Sequence, residues 1–205
     1  GLDTGRPVLV LTDDDNAANR FAADLRGFAE RDVVLLPSRE LVMADVVGVS
    51  RGYEQRRLAA LDELTEAHFA VASVQAAAQR TMPPELLVQS VVALAVGETA
   101  PLDELAQSLT RAGYERCVQV EGTGQFSIRG GILDVFPPQA EHPYRVEFWD
   151  DEIDSISTFD VGSQRRLEQC ECLRCLPCME SIPALAKGGA AGLAKAVLAL
   201  TSTRR

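Results

Sequence analysis

The pattern of apolar residues changes at Pro83 and Pro84, and this change divides the chain into two parts with different folds. Before the two prolines, short continuous apolar runs alternate with segments whose apolar residues recur at helical spacing. Such a continuous run predicts a strand that is buried on both faces. The alternation of strands with helices predicts a parallel sheet with right-handed crossovers. The predicted strands of this part are Val8–Leu11, Val33–Leu36 and Phe69–Ala72.

After the two prolines, short strands follow one another with glycine or proline turns between them. A helix precedes them, with Thr99 as its predicted cap and Leu102, Leu105 and Leu109 on one face. Closely spaced strands predict an antiparallel meander, and the helix is expected to cover one face of it. This part is therefore predicted to be α+β. Its predicted strands are Cys117–Val120, Gln125–Arg129, Ile132–Phe136, Tyr144–Trp149 and Ile153–Phe159.

The net charge of the chain argues against nucleic-acid binding. The 205 residues include 20 Lys and Arg against 30 Asp and Glu, for a formal net charge of −10. Residues 84–177 alone carry 7 basic and 16 acidic side chains. Phosphate contacts need cations, so bulk charge does not favour nucleic-acid binding. An acidic segment instead indicates a partner with a basic surface.

The sequence predicts a cytoplasmic protein rather than a membrane or secreted one. No apolar run approaches the roughly 20 residues that span a bilayer, and no signal-peptide pattern is present. Reduced cysteines are then the expectation. The chain opens without Met and stops soon after an alanine-rich stretch, which we interpret as a fragment of a longer protein.

Three consecutive aspartates, Asp13 to Asp15, follow the first predicted strand where a helix begins. Ligands of open α/β sheets bind at such carboxyl edges, and grouped carboxylates can hold Mg²⁺ for phosphoryl transfer. Aspartates are also favourable caps and first-turn residues of helices. We favour the capping role, because the sequence has no matching lysine and no further acidic strand end.

Four cysteines lie close together, at Cys170, Cys172, Cys175 and Cys178. Thiolates at this density can bind zinc or an iron–sulfur cluster. The first two flank a single residue in a predicted strand, so both side chains would point to one side. Structural zinc usually uses two separated knuckles, and buried cysteine also packs as a small hydrophobe. We favour packing, with no metal site and no cofactor.

Two strands carry a candidate recognition surface. In YRVEFW, alternation places Tyr144, Val146 and Phe148 towards the core, and Arg145, Glu147 and the only tryptophan, Trp149, on the opposite face. In FSIRGG, the same argument points Arg129 outward. Tryptophan and arginine are enriched at binding hot spots. Pairing of the strands would gather Arg129, Arg145 and Trp149 on one surface; a local Arg–Trp stack or weak surface ion pairs are the alternative.

The run from Gly113 to Arg166, above all RGGILDVFP and EFWDDEIDSI, closely resembles the amino-terminal module of bacterial transcription-repair coupling factor (Mfd). That module is itself similar to the damage-recognition protein UvrB. Upstream, GRPVLVLT, QRRLAAL and VASVQAAAQR also fit. UvrB has a Walker A loop and an aromatic-rich hairpin that clamps DNA. This chain has no Walker A loop, and only about twenty residues separate Pro37 from Arg57, too few for that hairpin.

The resemblance implies a fold and a division of the chain. Residues 1–88 would form the first part of a degenerate RecA-like α/β domain, a P-loop-type parallel sheet without ATPase motifs. Residues 89–177 would form an inserted α+β domain, built on an antiparallel sheet, that binds UvrA. Residues 178–205 would return to the first domain and are truncated. The resemblance also favours packing for the four cysteines, because relatives carry small residues at their positions.

The resemblance further implies a non-catalytic adaptor that recruits UvrA for nucleotide excision repair at stalled transcription. RNA polymerase and DNA would be bound by other parts of the full-length protein, whose ATP-dependent motor this chain lacks. Motif alignment places the UvrA contacts on Arg129, Arg145 and Trp149, where the family often has Phe at the last position. The alternatives are a Mg²⁺-dependent phosphoryl-transfer enzyme that uses Asp13 to Asp15, and a UvrB-like DNA-binding module.

Purified protein is expected to lack stoichiometric zinc, because packing cysteines need no metal. Metal analysis by mass spectrometry after exhaustive dialysis measures this directly. One zinc per chain, lost when Cys172 is replaced by Ser, would contradict the packing role.

Overall fold

The computed structural model describes residues 6–29, 32–39, 52–180 and 186–202. The chain divides into two compact units, residues 1–87 and residues 88–205. Helix α4 (Pro84–Ser90) spans the junction between them. Each unit is described by itself below.

The first unit is built on a parallel sheet of three strands in the order β1-β3-β2. One face packs against α1, through Ala18 and Ala22 of that helix. The other face packs against α2 and α3, through Ala60 and Ala76. The parallel pairing predicted from the alternating pattern is confirmed. The elements are β1 (Val8–Thr12), α1 (Asp15–Phe28), β2 (Val33–Leu36), α2 (Gly52–Glu63), β3 (Phe69–Ser73) and α3 (Val74–Ala78).

Strand β1 is not buried on both faces, and that prediction is wrong. Val8 and Val10 pack towards α1, but Leu9 is 59% and Leu11 is 52% exposed. The reason is position in the sheet. Strand β1 lies at the edge of the three described strands, and the cluster beneath α2 draws its strand residues from β2 and β3.

The second unit is α+β, as predicted, and contains a sheet of six strands in the order β10-β9-β8-β7-β6-β5. All neighbouring pairs are antiparallel except β5 with β6. Strands β4 and β11 form a separate antiparallel pair. The elements are β4 (Val92–Ala95), α5 (Leu102–Arg111), β5 (Glu115–Arg116), β6 (Gln125–Arg129), β7 (Ile132–Val135), β8 (Tyr144–Trp149), β9 (Glu152–Phe159), β10 (Arg166–Cys170), β11 (Cys172–Cys175) and α6 (Gly189–Ser202).

The core of the second unit lies between α5 and one face of the six-stranded sheet. Leu105 and Leu109 of the helix belong to the same buried cluster as strand residues of β6 to β9. The predicted helix cover is therefore confirmed. The residues of β6 to β9 in this cluster that are fully buried are Phe126, Leu133, Val135, Val146, Ile153 and Ile156.

Two local predictions in the second unit are wrong. The segment Cys117–Val120 is not a strand, because only Glu115–Arg116 pairs with β6 there. Helix α5 is not capped by Thr99; its N-cap is Pro101, which makes no side-chain capping bond. Thr99 instead forms an isolated bridge with Glu152. Proline has no side-chain oxygen that could accept a bond from the amides of the first turn, so the helix begins without a side-chain cap.

Helix α6 is rich in alanine and leucine, and it exposes Leu193, Val197 and Leu198. It has 14 residues, including Lys195. Within the described ranges, no helix is both long enough and apolar enough to cross a bilayer.

The aspartates after β1 serve the start of α1 and the sheet. Asp14 is the N-cap and accepts a 2.7 Å hydrogen bond from the Ala17 amide, which confirms the capping prediction. Asp15 accepts hydrogen bonds from Ser38 after β2 and from Ser73 at the end of β3. The carboxylates of Asp14 and Asp15 are thus both hydrogen-bonded to groups of the first unit.

The Asp15 carboxylate links α1 to the ends of two neighbouring strands. Partial burial raises the pKa of Asp15, but the bonds from Ser38 and Ser73 outweigh it and hold that pKa below its usual range, with help from the charge of Arg57. Hydrogen bonds favour the charged form of a carboxyl group in this way. The ionised carboxylate is therefore part of the fold of the first unit.

Replacing Asp15 by Ala should lower the stability of the first unit by about 1–3 kcal/mol at pH 7, because two hydrogen bonds to a charged group are lost. The depressed pKa makes this contribution complete above the unfolded carboxyl pKa of about 4 and progressively lost as pH falls through the folded value. Native-state hydrogen exchange of β3 amides at pH 7 measures the loss, and acid unfolding below pH 4 tests its pH dependence.

The matched control is Asp24→Ala, which removes an exposed aspartate from the same helix. It should leave β3 exchange unchanged. Equal exchange rates in the Asp15 variant and the control would show that the carboxylate does not tie the strands together.

Candidate functional site

The six-stranded sheet has a polar face opposite α5. Residues paired directly across antiparallel strands share a face, so one row runs Ser127, Asp134, Arg145 and Ser157 across β6 to β9. A second row runs through Arg129, Ile132, Glu147 and Ser155. We call this surface the outer face. Its residues are Ser127, Arg129, Ile132, Asp134, Arg145, Glu147, Trp149, Ser155 and Ser157.

The centre of the outer face is a buried carboxylate shared by two arginines. Arg145 donates from Nε and Nη2 to the two oxygens of Asp134 at 2.7 and 2.8 Å. Arg129 donates from Nη2 to Asp134 Oδ2 at 2.9 Å. The side chain of Asp134 is only 2% exposed. Burying a carboxylate is costly unless such charge-assisted bonds satisfy its oxygens, so the network holds both arginines in place.

Arg145 is covered rather than exposed, which corrects its predicted position on the solvent side. Its guanidinium lies 4.5 Å from the ring centroid of Phe159, and its side chain is 16% exposed. Phe159 is fully buried but does not belong to the core cluster under α5. The hydrogen bond to Asp134 raises the pKa of Arg145 above its usual value. Arg145 thus packs over an aromatic ring and neutralises a carboxylate at once.

A second ion pair lies beside the first. Glu147 accepts a 3.0 Å bond from Ser155 Oγ and is paired with Arg166 of β10. The hydrogen bond from Arg166 lowers the pKa of Glu147 below its usual range. Across the sheet, Ile132 alone separates Glu147 from Arg129 in the second row. Glu147, on β8, therefore lies between Arg129 on β6 and the strands β9 and β10.

Trp149 stands at the end of β8 and is 81% exposed, which confirms its predicted place on the solvent side. The strand pairing shifts register after Glu147, and Trp149 then pairs with Glu152. Asp150, which follows in the turn, has a φ of 57°. This left-handed conformation is one that aspartate adopts more readily than most residues. The turn and the bulge together fix where the indole projects.

The structure brings two of the three predicted site residues into one network. Arg129 and Arg145 share Asp134, whereas Trp149 lies four residues beyond Arg145, about 13 Å along the strand. Sequence reasoning missed Asp134 and Phe159. A carboxylate inside the otherwise apolar run ILDV was the available signal for Asp134. No local signal identifies Phe159, because it meets Arg145 only through strand pairing.

Cys170 and Cys172 do not lie on one strand, and that prediction is wrong. Cys170 ends β10, which pairs with β9, whereas Cys172 begins β11, which pairs with β4. Cys175 and Cys178 are buried. Burial raises the pKa of the Cys175 thiol to about 12. In the part of the chain that the structure describes, no three His, Cys, Asp or Glu side chains are grouped to hold a metal ion.

Comparison with known proteins identifies the class of the second unit. Residues 92–180 match the family model described as the UvrB interaction domain. This range begins at β4 and ends beyond β11, so it contains the six-stranded sheet, α5 and the whole outer face.

The full-length relatives are transcription-repair coupling factors, and they confirm the resemblance predicted from the sequence. Similar proteins are those of Bacillus subtilis (36% identical over 88% of this chain), Haemophilus influenzae (34% over 84%) and Escherichia coli (33% over 85%). The chain matches their amino-terminal module. It spans about a sixth of the length of these relatives, 16% of the first.

Replacing Asp134 by Ala should destabilise the second unit by about 3–5 kcal/mol, because it leaves the covered Arg145 without its carboxylate. Hydrogen exchange of β7 and β8 amides measures the change. Asp154→Ala, which removes an exposed carboxylate from β9, is the control and should cost about 0.5 kcal/mol or less. A variant at Asp134 as stable as the control would show that the network is dispensable for folding.

Proposed function

We propose that this chain is a non-catalytic adaptor module that recruits UvrA and so couples nucleotide excision repair to stalled transcription. The match of residues 92–180 to the UvrB interaction domain supports a protein-binding role. The names of the relatives support its assignment to transcription-coupled repair. Because the chain spans only about a sixth of those relatives, contacts with RNA polymerase and DNA are proposed for other parts of the full-length protein, in the cytoplasm.

The proposed division of the chain follows the same lines. Residues 1–88 would be the first part of a degenerate RecA-like domain, residues 89–177 the inserted UvrA-interaction domain, and residues 178–205 the return to the first domain. The parallel sheet of the first unit supports a RecA-like fold. The boundary between compact units at residues 87 and 88 supports the first division. The sequence predicted that the segment between Pro37 and Arg57 is too short for a DNA-clamping hairpin. Residues 40–51 of that segment lie outside the described residues, so this stays a prediction.

The proposed docking surface is the outer face around Arg129, Arg145 and Trp149. The observation that carries this assignment is the exposed Trp149 on the same sheet face as an ordered arginine–carboxylate network. Tryptophan is highly buried on average in folded proteins, and aromatic and arginine side chains dominate binding energy at interfaces. The network holds charged side chains in place before binding, which reduces the entropy lost on association.

The two alternatives have weaker support. A Mg²⁺ site at Asp13 to Asp15 would need free carboxylates, yet Asp14 caps α1 and Asp15 is bound by two serines. DNA binding would need a basic surface. Residues 84–177 carry 7 basic and 16 acidic side chains, which opposes such a surface.

Substitution of Arg129, Arg145 or Trp149 by Ala should each weaken binding of UvrA by about 1–3 kcal/mol, because each removes a hot-spot side chain or its support. Isothermal titration calorimetry of the 205-residue chain with UvrA measures the affinity. Circular dichroism checks that each variant is folded.

Two exposed residues that do not belong to the outer face serve as controls. Arg111→Ala removes a cation from α5, which covers the opposite face of the sheet, and Phe28→Ala removes an aromatic ring that is 88% exposed on α1. Both should bind UvrA as the unaltered chain does. Unchanged affinity in all three site variants would reject the surface, and no binding by the unaltered chain would reject the function.

A further inference from the structure

The residues of the outer face differ sharply in how much of them a partner could touch. The side chain of Arg129 is 50% exposed and Trp149 is 81% exposed. The side chain of Arg145 is 16% exposed, and that of Asp134 only 2%. Direct contact requires accessible surface, so these residues cannot all contribute to an interface in the same way.

Arg145, the less exposed of the two arginines, also makes more hydrogen bonds within the chain than Arg129 does. A guanidinium has five N–H donors. Arg145 directs Nε and Nη2 to Asp134, and it reaches Gln164 through Nη1 at 3.4 Å and through Nη2 at 3.3 Å. Among the described residues, Arg129 donates to Asp134 through Nη2 alone. Nε and Nη1 of Arg129 therefore make no hydrogen bond within the described residues.

Val118 adds an apolar group at the other edge of the outer face. Its carbonyl oxygen accepts a 2.9 Å bond from Ser127 Oγ, and Ser127 stands in the same row as Asp134. Arg129 lies two residues further along β6. Val118 is 86% exposed, which is more than Trp149. An apolar side chain is thus present beside β6 as well as at the end of β8.

We propose that Val118, Arg129 and Trp149 contact the partner directly, whereas Asp134 and Arg145 are positioning residues that hold the Arg129 guanidinium in place. This inference rests on the proposed function, in which the partner is UvrA. The complementary patch on the partner carries a carboxylate or another oxygen acceptor for Arg129, between two apolar areas. Arg145 acts through Asp134 and does not itself meet the partner.

A double-mutant cycle with the 205-residue chain and UvrA separates the two roles. Arg129→Ala should weaken binding about 10- to 100-fold, and Arg145→Ala should have a similar effect, because the Asp134 carboxylate loses the guanidinium that orients both of its oxygens and so no longer holds Arg129 in the same position. In the Arg129→Ala background, Arg145→Ala should change affinity less than about threefold, because the residue through which it acts is gone. If the two losses instead multiply, Arg145 contacts UvrA directly and the proposal is wrong.

Loss of Arg145 alone leaves a buried carboxylate, so the Asp134→Ala/Arg145→Ala double variant removes both charges together. It should fold and should bind about as weakly as Arg145→Ala. Added to Arg129→Ala, it should again change affinity less than about threefold. Full affinity of this double variant would overturn the positioning role.

The position of Arg129 can be measured without UvrA. NMR relaxation of the Arg129 Nε–Hε group in the unbound chain should show an ordered side chain, and Asp134→Asn or Arg145→Ala should make it mobile. Unchanged order in both variants would overturn the positioning role whatever the affinities are. If this order is lost as expected but the unaltered chain does not bind UvrA, the proposed function fails instead.

Val118→Asp should weaken UvrA binding about tenfold or more, because it places a charge in an apolar contact. Val88→Asp changes another exposed valine, 65% accessible, in α4 and should leave the affinity within about twofold. Equal affinities for these two variants would exclude Val118 from the contact.

Discussion

The shared carboxylate of Asp134 is the constraint on which the second unit depends. It lies in the middle strand of three, directly opposite Arg145 and diagonal to Arg129. A shift of β7 by one residue would turn this carboxylate into the apolar cluster beneath α5 and turn Leu133 outward. A buried unpaired charge is costly, so the ion network adds to the burial of Leu133 and Val135 in fixing the register of β7 against β6 and β8. The cover of Phe159 by Arg145 follows from the same register.

The two faces of the six-stranded sheet have different roles: one stabilises the fold and the other positions side chains. One face is apolar and buries α5, which supplies most of the stability. The outer face uses ion pairs, which contribute little net stability but hold side chains in defined positions. Trp149 takes no part in the ion pairs and is exposed, because the strand pairing shifts register after Glu147 and the chain turns at Asp150. The proposed docking surface combines this exposed aromatic ring with an ordered guanidinium, and both lie within residues 92–180, which match the UvrB interaction domain.

Much of this unit could be predicted from the sequence, and the misses have common causes. The bounds of β6 and β8 were predicted correctly because alternation is a local property of each strand. Strand β4 was not predicted, and β10 and β11 were predicted as one strand through Cys170 and Cys172, because the change of pairing partner at Glu171 leaves no local signal. The exposure of Leu9 and Leu11 escaped it too, because burial of a strand depends on what lies over it. The roles of Arg129, Arg145 and Trp149 in binding stay predictions.

The sequence by itself determined the two-part organisation, the mixed α/β class and the family resemblance, because apolar periodicity and motif order are written along the chain. It also indicated which residues share the outer face, since side chains two apart on a strand point the same way. Only the tertiary structure decided that Arg145 is covered while Arg129 stays accessible. That difference arises from contacts with Asp134, Phe159 and Gln164, which come from other strands and turns. Their meeting depends on register between strands, which no single segment specifies.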